Sequence, residues 1–219
     1  MKKKKMGIPV EEFKFTEKKG YDFFKRIFDI FASAIMLIVL SPLMLIICIL
    51  IMLDGGSPIY TQMRVGKNEK PFKMYKFRSM CIGADSKENL KKLEKLNEMD
   101  GPAFKMKNDP RITKIGRILR KTSLDELPQL VNILIGNMTF VGPRPPLVTE
   151  VERYEPYQKN RLLVKQGLTC YWQCSGRNEI MFEEWVRMDL QYIMERSLWT
   201  DFKILLSTIP AVLSGKGAN

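Results

Sequence analysis

Two adjacent carboxylates near the middle of the chain are the strongest candidates for chemistry. Asp125 and Glu126 closely follow the basic pair Arg120 and Lys121, at the expected start of a helix. An aspartate held beside arginines and a bound Mg²⁺ can attack phosphorus directly, because its carboxylate is already ionised near neutral pH and needs no base. The segment is therefore a candidate centre for phosphoryl chemistry.

The same segment also fits a purely structural interpretation. Ser123 followed three residues later by Glu126 has the spacing of a capping box, and acidic residues suit the positive end of the helix dipole. Pro128 argues against a cap at Asp125, because a proline has no backbone N–H to donate to that cap. The residues alone leave both interpretations open.

Two further segments could contact a phosphorylated ligand. Prolines surround Arg144 in residues 141–146, and such a stiff backbone could hold its guanidinium toward phosphate oxygens at little entropic cost. Residues 167–178 mix glycines, aromatics and polar donors and could orient a nucleotide or a lipid headgroup. An ordinary proline-rich loop and a structural turn are the respective alternatives.

Composition excludes several common kinds of site. The 219 residues contain no histidine, which excludes Ser/His/Asp triads and His-ligated zinc. Neither a GxGxxG nor a Walker A sequence occurs, so a Rossmann or P-loop nucleotide site is unsupported. The four cysteines have no spacing that completes a zinc site and are expected to be free thiols. The net charge of +12 predicts attraction to anionic lipid, nucleic acid or phosphorylated substrates.

One apolar run is long enough to enter a membrane. It extends from Ile27 to Leu53, with the Ser41-Pro42 pair near its middle, where proline is expected to kink or break a helix. Each half would then be about 18 Å long, enough for one leaflet of a hydrocarbon core roughly 30 Å thick. Because basic residues flank both ends, we expect both ends to be cytoplasmic and the segment to be a re-entrant hairpin. An ordinary membrane span with a proline kink is the alternative.

These patterns predict a mainly α fold with short β elements. The chain would be a monotopic membrane protein with an N-terminal re-entrant helix–break–helix and interfacial amphipathic helices. We expect three segments, which are a basic tail (1–26), the membrane hairpin (27–54) and a cytoplasmic catalytic domain (55–219). Strands are expected near residues 58–61 and 72–77, and helices near 86–98, 180–195 and 198–213; the last helix would face either the membrane interface or the protein.

Five short motifs in this order resemble the bacterial sugar transferase family, the monotopic polyprenol-phosphate phosphoglycosyl transferases. They occupy residues 25–29, 41–42, 75–80, 123–130 and 141–145, and the resemblance runs from about Lys25 to about Leu213. The chain departs from the family at Cys170, where many relatives have glycine. Only about two dozen residues precede the first motif, so we expect the additional spans of larger relatives to be missing.

The resemblance implies a two-step transfer. Asp125 would attack the sugar-linked phosphorus of a UDP-sugar and release UMP, and undecaprenyl phosphate would then take the phosphosugar from the aspartate. Mg²⁺ would be bound near Asp125 and Glu126 and offset phosphate charge. The cations implied around the phosphates are Lys76, Arg78, Arg120 and Arg144.

The implied partners are a UDP-sugar, undecaprenyl phosphate and membrane lipid, at the cytoplasmic leaflet of the bacterial inner membrane. The product would initiate exopolysaccharide, capsule or other glycoconjugate synthesis; no nucleic acid partner is expected, and a homodimer is one arrangement that the sequence allows. A non-catalytic, membrane-tethered basic module that binds anionic lipid or nucleic acid is the main alternative. A single-span scaffold of an export assembly is a third.

Overall fold

The computed structural model describes residues 7–84, 86, 102, 106, 109–176 and 180–214, and this part is mostly helical with two small sheets, as expected. The helix predicted at 86–98 and the first six residues of the basic tail lie outside the described residues. The α-helices are α1 (Lys19–Leu53), α2 (Lys114–Thr122), α3 (Gln129–Ile135), α4 (Val148–Val151), α5 (Tyr171–Cys174), α6 (Phe182–Glu195) and α7 (Leu198–Ser214). The strands are β1 (Ile59–Val65), β2 (Pro71–Phe77), β3 (Thr139–Val141) and β4 (Gly167–Thr169), and short 3₁₀ helices occupy Val10–Glu12, Lys67–Glu69, Leu124–Glu126 and Gln158–Leu162.

The long apolar run lies within a single helix. In the described part of the chain, α1 alone is long and apolar enough to cross a membrane. It begins at Lys19, so Lys25 and Arg26 belong to the helix and not to the tail. The expected division into two helices is not seen, because Pro42 lies inside one continuous helix of 35 residues.

Ser41 compensates for the hydrogen bond that Pro42 cannot make. A proline has no N–H to donate to the carbonyl four residues earlier, which here belongs to Ile38. The hydroxyl of Ser41 donates to that carbonyl oxygen at 2.8 Å. The helix therefore passes the proline without leaving this carbonyl unpaired.

One stripe of α1 packs against the rest of the protein along both halves of the helix. Its members recur every three or four residues, so they share one helix face. The other faces expose aromatic and aliphatic side chains along most of the helix. The packed residues are Asp29, Ala32, Ser33, Leu37 and Leu40 in the first half and Met44, Ile47, Cys48 and Ile51 in the second.

Both ends of α1 are tied to the same globular body. Near its start, the Arg26 guanidinium donates to the carbonyls of Ile133 and Leu134 at the end of α3, at 2.6 and 2.7 Å. Near its end, the carbonyl of Ile51 accepts a hydrogen bond from Arg78 at 3.0 Å. These bonds also satisfy carbonyls at helix C-termini, where cations are favourable.

The two predicted strands form an antiparallel hairpin. β1 pairs with β2 in a register that places Tyr60 opposite Lys76. Side chains alternate along a strand, and directly paired residues project from the same face of the sheet. Gln62 and Arg64 therefore share a face of the hairpin with Lys76.

A second, parallel pair of strands was not predicted. β3 pairs with β4, and the two backbones come very close at Gly142 and Gly167. A Cβ atom on Gly142 would lie 2.5 Å from the carbonyl oxygen of Lys165, and one on Gly167 would lie 2.1 Å from the nitrogen of Gly142. Only glycine fits at this crossing, which holds the proline-rich loop against the segment that follows β4.

The last two helices confirm the sequence prediction to within two residues and complete the main core. α6 contributes Trp185, Val186 and Ile193 to that core. α7 buries Ile204 against it and exposes a face that includes Trp199. This helix thus packs on the protein with one side and leaves an aromatic side open.

Candidate active site

Asp125 and Glu126 lie in the 3₁₀ helix Leu124–Glu126, between α2 and α3. The capping-box alternative is wrong, because Ser123 has a left-handed backbone with φ 57° and its side chain makes no capping hydrogen bond. Pro128 is itself the residue that caps α3, so that helix begins after the acidic pair. The two carboxylates are therefore not used to start a helix.

Asp125 is buried in a charged environment. Its exposed fraction is 7%, and burial raises the pKa of its carboxyl to about 6, with the neighbouring Glu126 adding to the rise. Lys76 and Arg120 act in the opposite direction and lower this pKa. At neutral pH most molecules therefore carry an ionised Asp125 that is poorly hydrated and close to two cations.

Lys76 and Arg120 are held in place by specific contacts. The ammonium of Lys76 forms an ion pair with Glu126 at 2.8 Å. The Nε of Arg120 donates to the hydroxyl of Ser79 at 3.0 Å. This contact needs α2 to approach the chain after β2 closely, and Gly116 permits it, since a Cβ there would lie 1.9 Å from the carbonyl oxygen of Ser79.

Arg144 projects from a buried loop onto two tryptophans. Its flanking prolines are buried, and its guanidinium carbon lies 5.6 Å from the ring centroid of Trp172 and 5.9 Å from that of Trp185. The two indoles are stacked with their ring centroids 4.8 Å apart. Their faces can hold a guanidinium by cation–π attraction. Arg144 also lowers the pKa of Arg120, after the larger effect of burial, so the two cations are near each other.

Arg64 is a site residue that our sequence reasoning missed. It is buried, and its guanidinium donates to the carbonyl of Pro145 at 3.1 Å and to the side chain of Gln62 at 2.7 Å. Burial and then the charge of Arg144 lower its pKa to about 10. The alternation of side chains along the two hairpin strands could have identified this residue, since it places Arg64 on the same face as Lys76.

Arg78 differs from the other predicted cations. One terminal nitrogen donates to the carbonyl of Ile51, and a Cβ on Gly56 would lie 2.6 Å from the other. Arg78 is therefore held at the C-terminal end of α1. Lys76 and Arg120 act on the carboxyl of Asp125, Arg144 acts on Arg120, and Arg78 is directed to the apolar helix.

The donor set fits Mg²⁺ bound together with a substrate. In the described part of the chain, no group of three or more His, Cys, Asp or Glu side chains could hold a metal. Asp125 and Glu126 nevertheless offer two adjacent carboxylates, and Mg²⁺ is commonly held by one or two carboxylates plus substrate phosphates. These residues therefore suit a metal that completes its coordination with phosphate oxygens.

Comparison with known proteins identifies the family of the chain. The family model described as bacterial sugar transferase matches residues 20–215. The galactosyl transferase CpsE of Streptococcus agalactiae is 49% identical over 89% of this chain and 43% of its own length. The undecaprenyl-phosphate galactose phosphotransferase of Salmonella typhimurium is 46% identical over 92% of this chain and 43% of its own length.

A shorter relative is matched over most of its length. The exopolysaccharide production protein ExoY of Rhizobium meliloti is 43% identical over 89% of this chain and 87% of its own length. The chain thus spans less than half of the two longer relatives and nearly all of ExoY. On this similarity, the chain belongs to the bacterial sugar transferase family.

Proposed function

We propose that this protein transfers a phosphosugar from a UDP-sugar to undecaprenyl phosphate and thereby initiates the synthesis of an exopolysaccharide, a capsule or another glycoconjugate. The observation that carries the proposal is a buried Asp125 with a raised pKa, whose neighbours include Lys76 and Arg120. A buried carboxylate among fixed cations can attack an anionic phosphorus that it would repel in water. The names of the relatives support the same type of reaction.

The proposed chemistry has two displacements at one phosphorus. A carboxylate oxygen of Asp125 forms a bond to the sugar-linked phosphorus while the bond to the bridging oxygen breaks, and the electron pair leaves with UMP. A phosphate oxygen of undecaprenyl phosphate then attacks the same phosphorus, and the aspartyl bond breaks. Lys76, Arg120 and Arg144 neutralise the phosphate oxygens in both steps, and Mg²⁺ held by Asp125 and Glu126 would supply further charge compensation.

We propose further that the enzyme works at the cytoplasmic leaflet of the inner membrane. The contacts of Arg26 and Arg78 support this placement, because they tie the two ends of α1 to one body. A straight helix of 35 residues would be about 50 Å long, enough to cross a hydrocarbon core roughly 30 Å thick. We therefore propose that α1 bends at Pro42, which keeps both ends on one side and places its exposed apolar faces in lipid.

The reaction is tested by measuring UMP release from a panel of UDP-sugars, with and without undecaprenyl phosphate. We expect one donor to be strongly preferred, and we expect the lipid to raise turnover because it regenerates free Asp125. A protein that bound lipid and nucleotide but released no UMP from any donor would instead be the non-catalytic module.

The membrane arrangement is tested by cysteine accessibility. Glu17→Cys and Asp54→Cys, each in a Cys81→Ser background, flank α1 and are expected to react with a membrane-impermeant maleimide only in inside-out vesicles. Phe31→Cys is the control and should stay unlabelled in vesicles of either orientation, because its side chain would face hydrocarbon. Labelling of one flank in right-side-out vesicles would identify a transmembrane span.

Lys76→Gln should change the pH dependence of the reaction. Lys76 lowers the pKa of Asp125, so its removal should move the acidic limb of kcat/KM, expected near pH 6, to higher pH. We expect a shift of about one pH unit, the scale on which a nearby cation acts. Lys73→Gln alters an exposed lysine of the same strand and should leave the limb in place. If the acidic limb of kcat/KM stayed at the same pH in Lys76→Gln, the group that titrates there would not be Asp125.

A further inference from the structure

A cavity with several charged residues in its wall lies away from the candidate catalytic residues. Its volume is about 570 Å³, and neither Asp125, Glu126 nor Arg144 lines it. The cavity is bounded by the first turns of α1, by the short loop after β1 and by residues 163–165 before β4. Phe23 and Phe24 lie on the same turns of α1, outside the lining, as exposed aromatic side chains.

Cations outnumber carboxylates in the wall of this cavity by six to three. Lys25 pairs with Asp201, which lies outside the cavity lining, and Lys19 lies 3.8 Å from Glu17. Arg26 and Arg196 donate to backbone carbonyls, which gives them hydrogen-bond partners but does not neutralise their positive charge. The six cations are Lys19, Lys25, Arg26, Lys67, Lys165 and Arg196.

Lys67 and Lys165 differ from the other four cations of the wall. Within the described residues, neither side chain makes an ion pair or a hydrogen bond. Lys165 is half-buried, and burial followed by the charge of Arg26 lowers its pKa; Lys67 adds to the fall, whereas Asp29 and Asp22 act in the opposite direction. Because the six cations of the wall outnumber its three carboxylates, an excess of positive charge remains in this partly desolvated space, where an anion is favourable.

A neutral donor lies with these two lysines. Asn68 follows Lys67, lines the cavity and has a left-handed backbone with φ 55°. Its amide can donate alongside the two ammonium groups, which approach from different loops. Three donors on two loops suit a tetrahedral anion, because its several oxygens accept bonds from different directions.

We propose that this cavity binds a phosphate group through Lys67, Asn68 and Lys165. The wall has six cations against three carboxylates, an excess that suits a phosphate monoester or diester, and the volume exceeds that of a bare phosphate, so the ligand is a phosphate ester. The ester could belong to an anionic lipid headgroup or to a soluble metabolite. The proposal is independent of the sugar transfer at Asp125.

The test is amine labelling of the full chain in nanodiscs, read residue by residue by mass spectrometry. Three conditions are compared, which are phosphatidylcholine alone, phosphatidylcholine with phosphatidylglycerol, and phosphatidylcholine with glycerol 3-phosphate in solution. We expect roughly fivefold slower labelling of Lys165 when the ligand is present at about four times its Kd. Protection by phosphatidylglycerol assigns the site to lipid, and protection by glycerol 3-phosphate assigns it to a soluble ester. Lys159 lies outside the cavity and should label equally in all three.

Variants distinguish binding at Lys67, Asn68 and Lys165 from a nonspecific effect of lipid or solute on surface lysines. Lys165→Gln should abolish the protection of Lys67, Lys165→Arg should restore most of it, and Lys159→Gln should not change it. The proposal is overturned if Lys165 labels equally in all three conditions, or if Lys67 stays protected in Lys165→Gln. UMP release by Lys165→Gln, measured in parallel, tests the transfer reaction separately.

Discussion

Asp125→Asn should abolish UMP release from a UDP-sugar, with a loss of at least about 10⁴-fold, the scale on which covalent nucleophiles are lost in other enzymes. An amide oxygen is a far weaker nucleophile than a carboxylate, and asparagine cannot carry the phosphosugar as an acyl phosphate. UMP is measured with saturating donor, and the wild-type enzyme is incubated with donor alone to trap the adduct. Mass spectrometry should then find one phosphosugar on the peptide that contains Asp125.

The control for this variant is a second aspartate that is exposed to solvent. Asp54→Asn changes an exposed residue at the end of α1 and should retain activity. If Asp125→Asn kept more than a small fraction of the rate, or if the adduct formed on another residue, the covalent mechanism would be refuted.

The same variant should be more stable than the wild type above pH 6. The pKa of Asp125 rises from 3.8 to about 6 in the fold, so the stabilisation from its bound proton is present below pH 4 and is lost as the pH rises through 6. Asparagine does not ionise, so Asp125→Asn should gain a few degrees in Tm at pH 8 and nothing near pH 4. Parallel thermal melts measure this, and an inactive variant that is also destabilised at pH 8 would point to misfolding instead.

Arg144→Lys should lower kcat/KM by about 10²- to 10³-fold, the usual cost of one preorganised charge donor. Lysine keeps the positive charge, but it lacks the planar guanidinium that lies over Trp172 and Trp185 and that can bind two phosphate oxygens. The measurement is UMP release as a function of donor concentration.

Two further variants test this explanation. Arg153→Lys makes the same change at an exposed position and should have no effect. Trp172→Phe keeps an aromatic surface with weaker cation–π attraction and should cause a smaller loss than Arg144→Lys. Equal activity of Arg144→Lys and the wild type would mean that Arg144 contributes only charge.

The sequence predicted those secondary-structure elements whose pattern lies within a short stretch of the chain. Hydrophobic periodicity predicted the hairpin strands and the last two helices, because each pattern depends on residues a few positions apart. Proline chemistry predicted that Pro42 would divide the apolar helix, and this division is not seen. The sequence could not reveal that the hydroxyl of Ser41 would replace the hydrogen bond that Pro42 cannot make. The pair β3 and β4 escaped prediction because three residues carry too little pattern.

The sequence by itself determined the acidic pair, the apolar helix and the set of cations from which a phosphate site could be built. Only the tertiary structure decided which cations reach the carboxylates. It directed Lys76 to Glu126 and Arg78 to the end of α1, although the two residues are only two positions apart in the chain. The partner of each cation depends on contacts between residues that are dozens of positions apart in the chain. The packing of the helices and the hairpin determines these contacts, and local propensity does not.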